Sequence, residues 1–260
     1  MNTNSKIHKI ISPKYSLKKK IYEIINSFLG IFNLAIVRSS SVPSWSHFYK
    51  LGKLYKFQPK TIFDIGVAYG TPSLYEAYPN AFYYLIDPLK ESVPFMEQWS
   101  NKINSKILNI ALGSETGVNQ IEIAVRQNIG GTTFLKQVGN ADTPIVETYN
   151  VPMKRFDEVI KDFETPALCK IDVQGFELEV LKGMTKVLNK IDVFIIECHL
   201  IDTLENIPVF TDVLNFLQQN DFVVYDILSH GHRPLDNALA ETDLVFVKSK
   251  SIFRKDSRWK

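Results

Sequence analysis

The stretch Thr61-Ile-Phe-Asp-Ile-Gly-Val-Ala-Tyr-Gly-Thr71 constrains this chain more than any other. Apolar, β-prone residues run into Asp64. Gly66 and Gly70 then bracket a tight turn, and Thr71-Pro72 reads as a helix N-cap with proline at the first helical position. A strand that turns this sharply into a helix leaves the helix's first N–H groups pointing into a crevice above a sheet. The two glycines let the backbone approach a small polar ligand there without a Cβ in the way.

The spacing Gly66-x-x-x-Gly70 differs from the G-x-G-x-x-G of dinucleotide folds. Asp64 is the sharper clue. A pyrophosphate wants bare amides and a helix N-terminus, and a neighbouring carboxylate repels it. S-adenosylmethionine instead brings an ammonium for Asp64 and a carboxylate for the helix-end amides. A buried strand followed by a capped helix, with no ligand, is the plainer reading of the same residues.

At 260 residues and 45% hydrophobic, the chain can bury a full core. The expectation is one α/β domain over 59–260 behind a basic, helical extension over 1–58. A net charge of +2 argues against a nucleic-acid partner. Cys169 and Cys198 fall in apolar strand-like runs, which suits buried thiols in a reducing cytoplasm; no metal-ligand set is assigned.

Lys6, Lys9, Lys14, Lys18, Lys19 and Lys20 precede an apolar run over 21–37 that is too short and polar to span a bilayer. With 1–20 loose and 21–37 helical, two readings stay open. The helix lies on an anionic membrane surface, making the protein peripheral there. Or its apolar face packs on the domain or a partner chain.

Helical spacing over 45–55 leads into the domain. Strands are expected over 61–65, 81–87, 106–111, 167–173, 193–198, 222–228 and 244–247. Helices are expected over 71–78, 88–100, 152–163, 176–189 and 208–219. This alternation gives a mostly parallel sheet covered on both faces. Alternating residues over 117–126, with strand-like 132–135 and 145–151, interrupt it as an inserted antiparallel hairpin over the sheet edge.

Asp87 ends the second strand, 21 positions after Gly66, where a carboxylate can accept hydrogen bonds from both ribose hydroxyls of an adenosine. It is also a natural N-cap for the helix starting at Pro88. The strand ending at Asp172 delivers another carboxylate to the sheet's carboxyl edge, beside the first ligand. Glu177 falls in the following first helical turn, where an acid is ordinarily a solvated cap. Glu197 and His199 share one face of the next strand and can act as a base, or hold a hard cation with Asp172.

These motifs resemble FkbM-type S-adenosylmethionine-dependent methyltransferases. The resemblance rests on Phe63-Asp-Ile-Gly-Val-Ala-Tyr-Gly70, Ile86-Asp-Pro88, Asn109-Ile-Ala-Leu-Gly-Ser-Glu-Thr-Gly117, Lys170-Ile-Asp-Val-Gln-Gly-Phe-Glu-Leu-Glu-Val-Leu-Lys-Gly183 and Ile196-Glu-Cys-His199, within roughly residues 60 to 248. It implies a Rossmann-like class I methyltransferase fold, with a seven-stranded sheet whose last strand is reversed. It also implies O-methylation of a hydroxyl, often on a sugar, glycan or polyketide-like small molecule. Carried over by position, Asp64, Gly66, Tyr69, Gly70 and Asp87 line the cofactor site, Ala111 lies near the adenine, and Asp172 and Glu177 face the reacting end. Tyr69 is bulkier than the small or amide residue expected there.

An alcohol must lose its proton during attack on a methyl group. Asp172, Glu197 or His199 is expected to take it, or Asp172 and Glu197 to hold a divalent ion that acidifies the hydroxyl. Phe134 and Tyr149 are candidates to stack on a sugar, and Gly130-Gly131-Thr132-Thr133 for a lid. Two other classes compete: a nucleotide-binding oxidoreductase, which NAD would stabilise, and a non-catalytic membrane-surface scaffold, which would bind no adenosyl ligand.

Overall fold

The computed structural model describes residues 17–31, 42–124, 132–135 and 145–258. The chain divides into two compact units, Met1–Val42 and Pro43–Lys260. The first contains helix α1 (Leu17–Gly30), which starts within the stretch expected to be loose. Ile21, Ile24, Ile25 and Phe28, spaced along one helical face, are exposed. Residues 1–16 and 32–41 lie outside the described residues. No helix among the described residues is long and apolar enough to cross a membrane.

The second unit opens with α2 (Trp45–Leu54), so the last part of the expected extension packs with the domain. Its remaining helices are α3 (Pro72–Ala77), α4 (Val93–Ser100), α5 (Phe156–Val159), α6 (Glu177–Gly183) and α7 (Phe210–Gln219). The strands, in chain order, are β1 (Thr61–Ile65), β2 (Phe82–Ile86), β3 (Ser105–Leu108), β4 (Ala111–Leu112) and β5 (Gly117–Ala124). They continue as β6 (Ile145–Lys154), β7 (Ala167–Ile171), β8 (Val193–His199), β9 (Phe222–His232) and β10 (Leu239–Lys248).

Seven strands form one sheet in the order β3-β2-β1-β7-β8-β10-β9. Neighbours from β3 to β8 are parallel, and only β10 runs against those beside it. Side chains alternate across this sheet as a period of two requires. Phe63, Cys169, Phe194, Ile196 and Phe246 enter one core with Leu181 of α6 and Leu217 of α7. Ile62, Leu168, Val193, Ile195 and Val245 enter the other with Phe48 of α2, Leu74 of α3 and Met96 of α4. The fold is a Rossmann-like α/β sandwich with the reversed last strand.

The insertion is a second sheet, β4-β6-β5, in which β5 and β6 form an antiparallel hairpin. Several boundaries differ from expectation, each for a local reason. The strand expected over 106–111 is cut at Leu108, because Asn109 Nδ2 donates to the carbonyls of Asp87 (2.8 Å) and Leu89 (3.2 Å) and the chain crosses into the small sheet. Residues 132–135 form no strand: Thr133 Oγ1 donates to Gln174 O at 2.5 Å and accepts from Leu135 N at 3.1 Å.

The helix expected from 152 is also displaced. Pro152 is still in β6, paired with Val118 of β5, and β4 joins the other side only from Met153 onward. The helix expected over 176–189 stops at Gly183, where a Cβ would lie 2.1 Å from Gly113 O. A short 3-10 turn, Leu188–Lys190, completes the span.

Candidate active site

The strand order reverses between β1 and β7, and at their carboxyl ends a cavity of about 360 Å³ opens. Gly66, Tyr69, Gly70, Asp87, Ala111 and Asp172 all line it, as do Lys170, Gln174, Phe176 and Trp45. Asp64, Glu177, Glu197 and His199 do not.

The two loop glycines are required by the protein itself. Gly66 has φ +79°, and a Cβ on it would sit 1.7 Å from the carbonyl oxygen of Asp172. At Gly70, φ +102°, a Cβ would meet Trp99 Nε1 at 2.1 Å. The first glycine thus locks the β1 loop against the end of β7; the second seats it on α4, where Trp99 Nε1 donates to Tyr69 O at 3.0 Å. Tyr69 itself is half exposed and packs edge-on against Phe95.

Asp87 ties the β1 loop to the chain after β2 at the cavity wall. Its Oδ1 accepts from Leu89 N at 2.9 Å, and its Oδ2 accepts from Ala68 N at 2.8 Å. Burial pushes its carboxyl up, opposed by those two amides. A carboxylate offers about four acceptor positions, more than these two amides use. Apolar Leu89, Ile110 and Ala111 line the cavity beside it.

Asp64 is placed differently from expectation. It is fully buried; Tyr75 Oη donates to its Oδ2 at 2.5 Å, and Lys170 Nζ lies 3.4 Å from its Oδ1. Lys170, not Asp64, faces the cavity. Its ammonium also donates to Gly66 O at 2.9 Å and pairs with Asp172 Oδ2 at 3.3 Å. Burial alone would strip that proton, but Asp172 and Asp64 outweigh it and the amine stays charged. A lysine inside the otherwise apolar run Ala-Leu-Cys-Lys-Ile was the available signal, because a buried cation demands carboxylate partners.

Asp172 is the carboxylate that reaches the cavity, with its side chain about a third exposed. Gln174 Nε2 bridges it to the next strand, donating to Asp172 Oδ1 at 3.0 Å and to Glu197 Oε2 at 2.7 Å. That amide fills the gap where a cation shared by Asp172 and Glu197 was expected, so this pair does not form the anticipated ion site. Gln174 and Gly175 both have positive φ, which aims the amide back across the strand ends.

Glu177 is no solvated cap. It is buried, and its Oε1 accepts from Val173 N at 3.0 Å and Gly175 N at 3.1 Å, closing the turn after β7. Burial pushes its carboxyl up to about 7, against the pull of those amides and helped by Asp172. Glu197 is driven well above the usual carboxylate range by burial, then by Asp172, Glu177, Glu241 and Asp243. Burial lowers His199 and favours the neutral imidazole. These three side chains therefore stand behind the cavity wall, and Glu197 is joined to it through Gln174.

Thr132, Thr133 and Phe134 line the cavity, and Phe134 packs on Phe176 with ring centroids 5.3 Å apart. Gly130 and Gly131 of the expected lid lie outside the described residues. Tyr149 is held outside the cavity by Glu91, to which its hydroxyl donates at 2.6 Å, and Lys90 lies over its ring.

The chain is similar to known proteins to differing extents. Over 77 residues the chain is 34% identical to the hexuronic acid methyltransferase AglP of Haloferax volcanii, a stretch covering 26% of this chain and 32% of that protein. The chain thus spans about a third of that curated relative. The methyltransferase FkbM of Methylobacillus flagellatus KT is 14% identical, with TM-score 0.43 over 71% of this chain and 43% of that one. Magnesium protoporphyrin IX methyltransferase of Synechocystis PCC 6803, solved with bound SAM, is 12% identical, with TM-score 0.40 over 91% and 100% of the two chains. The profile of the methyltransferase FkbM domain matches residues 64–224, from the aspartate under the glycine loop into β9. That is well over half of the sequence, and this chain belongs to the FkbM methyltransferase family.

Proposed function

We propose that this protein transfers a methyl group from S-adenosylmethionine to a hydroxyl oxygen of a small molecule, namely a sugar, free or within a glycan or glycolipid. One observation carries the reading: a single cavity holds Asp87, an acceptor beside an apolar wall, and Asp172, a partly exposed carboxylate at the switch point. When bound, the donor supplies a methyl group on a cationic sulfur. Asp87 suits its ribose hydroxyls, Leu89 and Ala111 its base, and Asp172 its positive end.

Most of the rate comes from holding the acceptor oxygen in line with the methyl carbon. Asp172 takes the hydroxyl proton, a contribution of roughly 10²–10⁴-fold for a well-placed base. Lys170 and Gln174 fix its two oxygens. Glu197 and His199 support that geometry from behind. The partial likeness to a protein named for hexuronic acid supports a sugar acceptor, with Phe134 available at the cavity for its ring. The free, buried thiols of Cys169 and Cys198 support a cytoplasmic setting.

The test is mass spectrometry of uronic-acid sugars and glycans incubated with the full chain and S-adenosylmethionine. A single added methyl on oxygen is expected. No methylated product, together with no calorimetric heat on adding S-adenosylhomocysteine, overturns the reading. Stabilisation by NAD instead would favour the oxidoreductase.

A further inference from the structure

Behind the cavity, at the carboxyl end of β8, three ligand-type side chains converge. Glu177, Glu197 and His199 each offer one atom, and those atoms lie within 4.8 Å of one another. Three acidic or ligating groups near each other are no site by themselves. The second observation is His199: the residue is 5% exposed, its Nε2 has no hydrogen-bond partner, and that atom lies 3.7 Å from Glu197 Oε2, beyond hydrogen-bond reach. A buried imidazole nitrogen left unpaired costs free energy that a ligand in front of it would recover.

We propose that Glu177, Glu197 and His199 bind one divalent first-row transition-metal ion, of the manganese or zinc kind. Two carboxylates balance its charge, and one neutral imidazole selects it over calcium and magnesium, which prefer all-oxygen sets. Glu177 is pre-oriented by the N–H groups of Val173 and Gly175. Glu197 is held by Gln174, which makes that amide the link from the ion to Asp172. The ion is a neighbour of the cavity and acts on the position of Asp172, with no direct contact to the acceptor. The site does not depend on the identity of the methyl donor, so the two readings fail separately.

The test uses the full chain freed of metal by a chelator and titrated with Mn²⁺ alone, followed by electron paramagnetic resonance. One bound ion is expected, and the spin-echo modulation of the wild-type complex should carry the nitrogen of a single imidazole. Glu197→Gln and His199→Asn should each weaken binding by roughly tenfold or more, the scale seen when a metal site loses a conserved partner. Asp172→Asn should retain the ion. Absence of binding, absence of the nitrogen signal, or loss of the ion in Asp172→Asn with His199→Asn unaffected each overturns the proposal. The nitrogen signal is read on the unaltered protein, so a variant that fails to fold does not remove the test.

Discussion

Asp64 and Lys170 are register partners on the adjacent parallel strands β1 and β7, and their side chains meet on one face of the sheet with Nζ 3.4 Å from Oδ1. The charge pair is buried, so its energetics are those of desolvation as much as attraction. Asp172, two residues along β7's direction, joins the same ammonium at 3.3 Å. A chain of alternating charges therefore runs from beneath the cavity to its wall, and removing one member strands the others.

Lys170→Met should cost about 3–5 kcal/mol of stability, because Asp64 is left buried with Tyr75 as its remaining side-chain partner. Adding Asp64→Asn should recover a large part of that loss. Urea denaturation of both single variants and the double closes the cycle. Strictly additive costs would show that the two charges are not coupled.

Glu177 gives a stability dependence on pH with a definite sign. Burial holds its folded-state carboxyl at about 7 against an ordinary 4.5, so the folded chain binds the proton more tightly than the unfolded chain. That contribution is present at low pH and is lost as pH climbs from about 4.5 to about 7, by about 3 kcal/mol at most. Glu177→Gln keeps an acceptor for Val173 and Gly175 while removing the titration. In chelator-treated protein, the melting temperature of the variant relative to wild type should rise between roughly pH 5 and pH 8. Glu197 and His199 titrate nearby in both proteins, and parallel curves would refute the assignment.

Asp87→Asn sets an amide N–H₂ against backbone N–H groups that now donate to carboxylate oxygens. A stability loss of about 1–3 kcal/mol is expected from the mispaired amide. Calorimetric titration with S-adenosylhomocysteine should show affinity reduced by roughly tenfold or more, since ribose loses its acceptor. Wild-type affinity would remove Asp87 from the donor site.

Asp172→Asn separates binding from chemistry. Turnover should fall by roughly 10²–10⁴-fold if its carboxylate is the proton acceptor. Should turnover and S-adenosylhomocysteine affinity both stay at wild-type values, Asp172 is neither base nor ligand.

The sheet was legible in the sequence because parallel strands buried on both faces read as short apolar runs, and Asp87 and Asp172 were legible because they end such runs. What escaped depended on partners distant in the chain. The glycine loop suggested that Asp64 meets the ligand, yet the register that sets Lys170 opposite it is a tertiary fact. Glu177 carries the pattern of a first-turn acid, and only the fold of the 172–177 turn shows it buried. Pro152 signalled a helix start, while its pairing with Val118, 34 positions earlier, kept it in a strand. Such pairings leave no local periodicity to read.

Helix α1 presents an exposed apolar face. Ile21, Ile24 and Phe28 lie on one face and are 49%, 69% and 62% exposed, and Ile31 beyond the helix is 75% exposed. Six lysines and no acid precede Glu23 in the sequence. An apolar face of this kind beside concentrated positive charge suits the headgroup region of an anionic bilayer, where each basic residue adds about 1 kcal/mol. The full chain should sediment with vesicles containing phosphatidylserine and stay in solution with vesicles of phosphatidylcholine alone. High salt should weaken the binding by screening the lysines, and Ile21→Glu with Ile24→Glu should abolish it by removing the apolar face. Equal binding to both vesicle types, or binding indifferent to the two glutamates, would mean that the apolar face packs against protein instead.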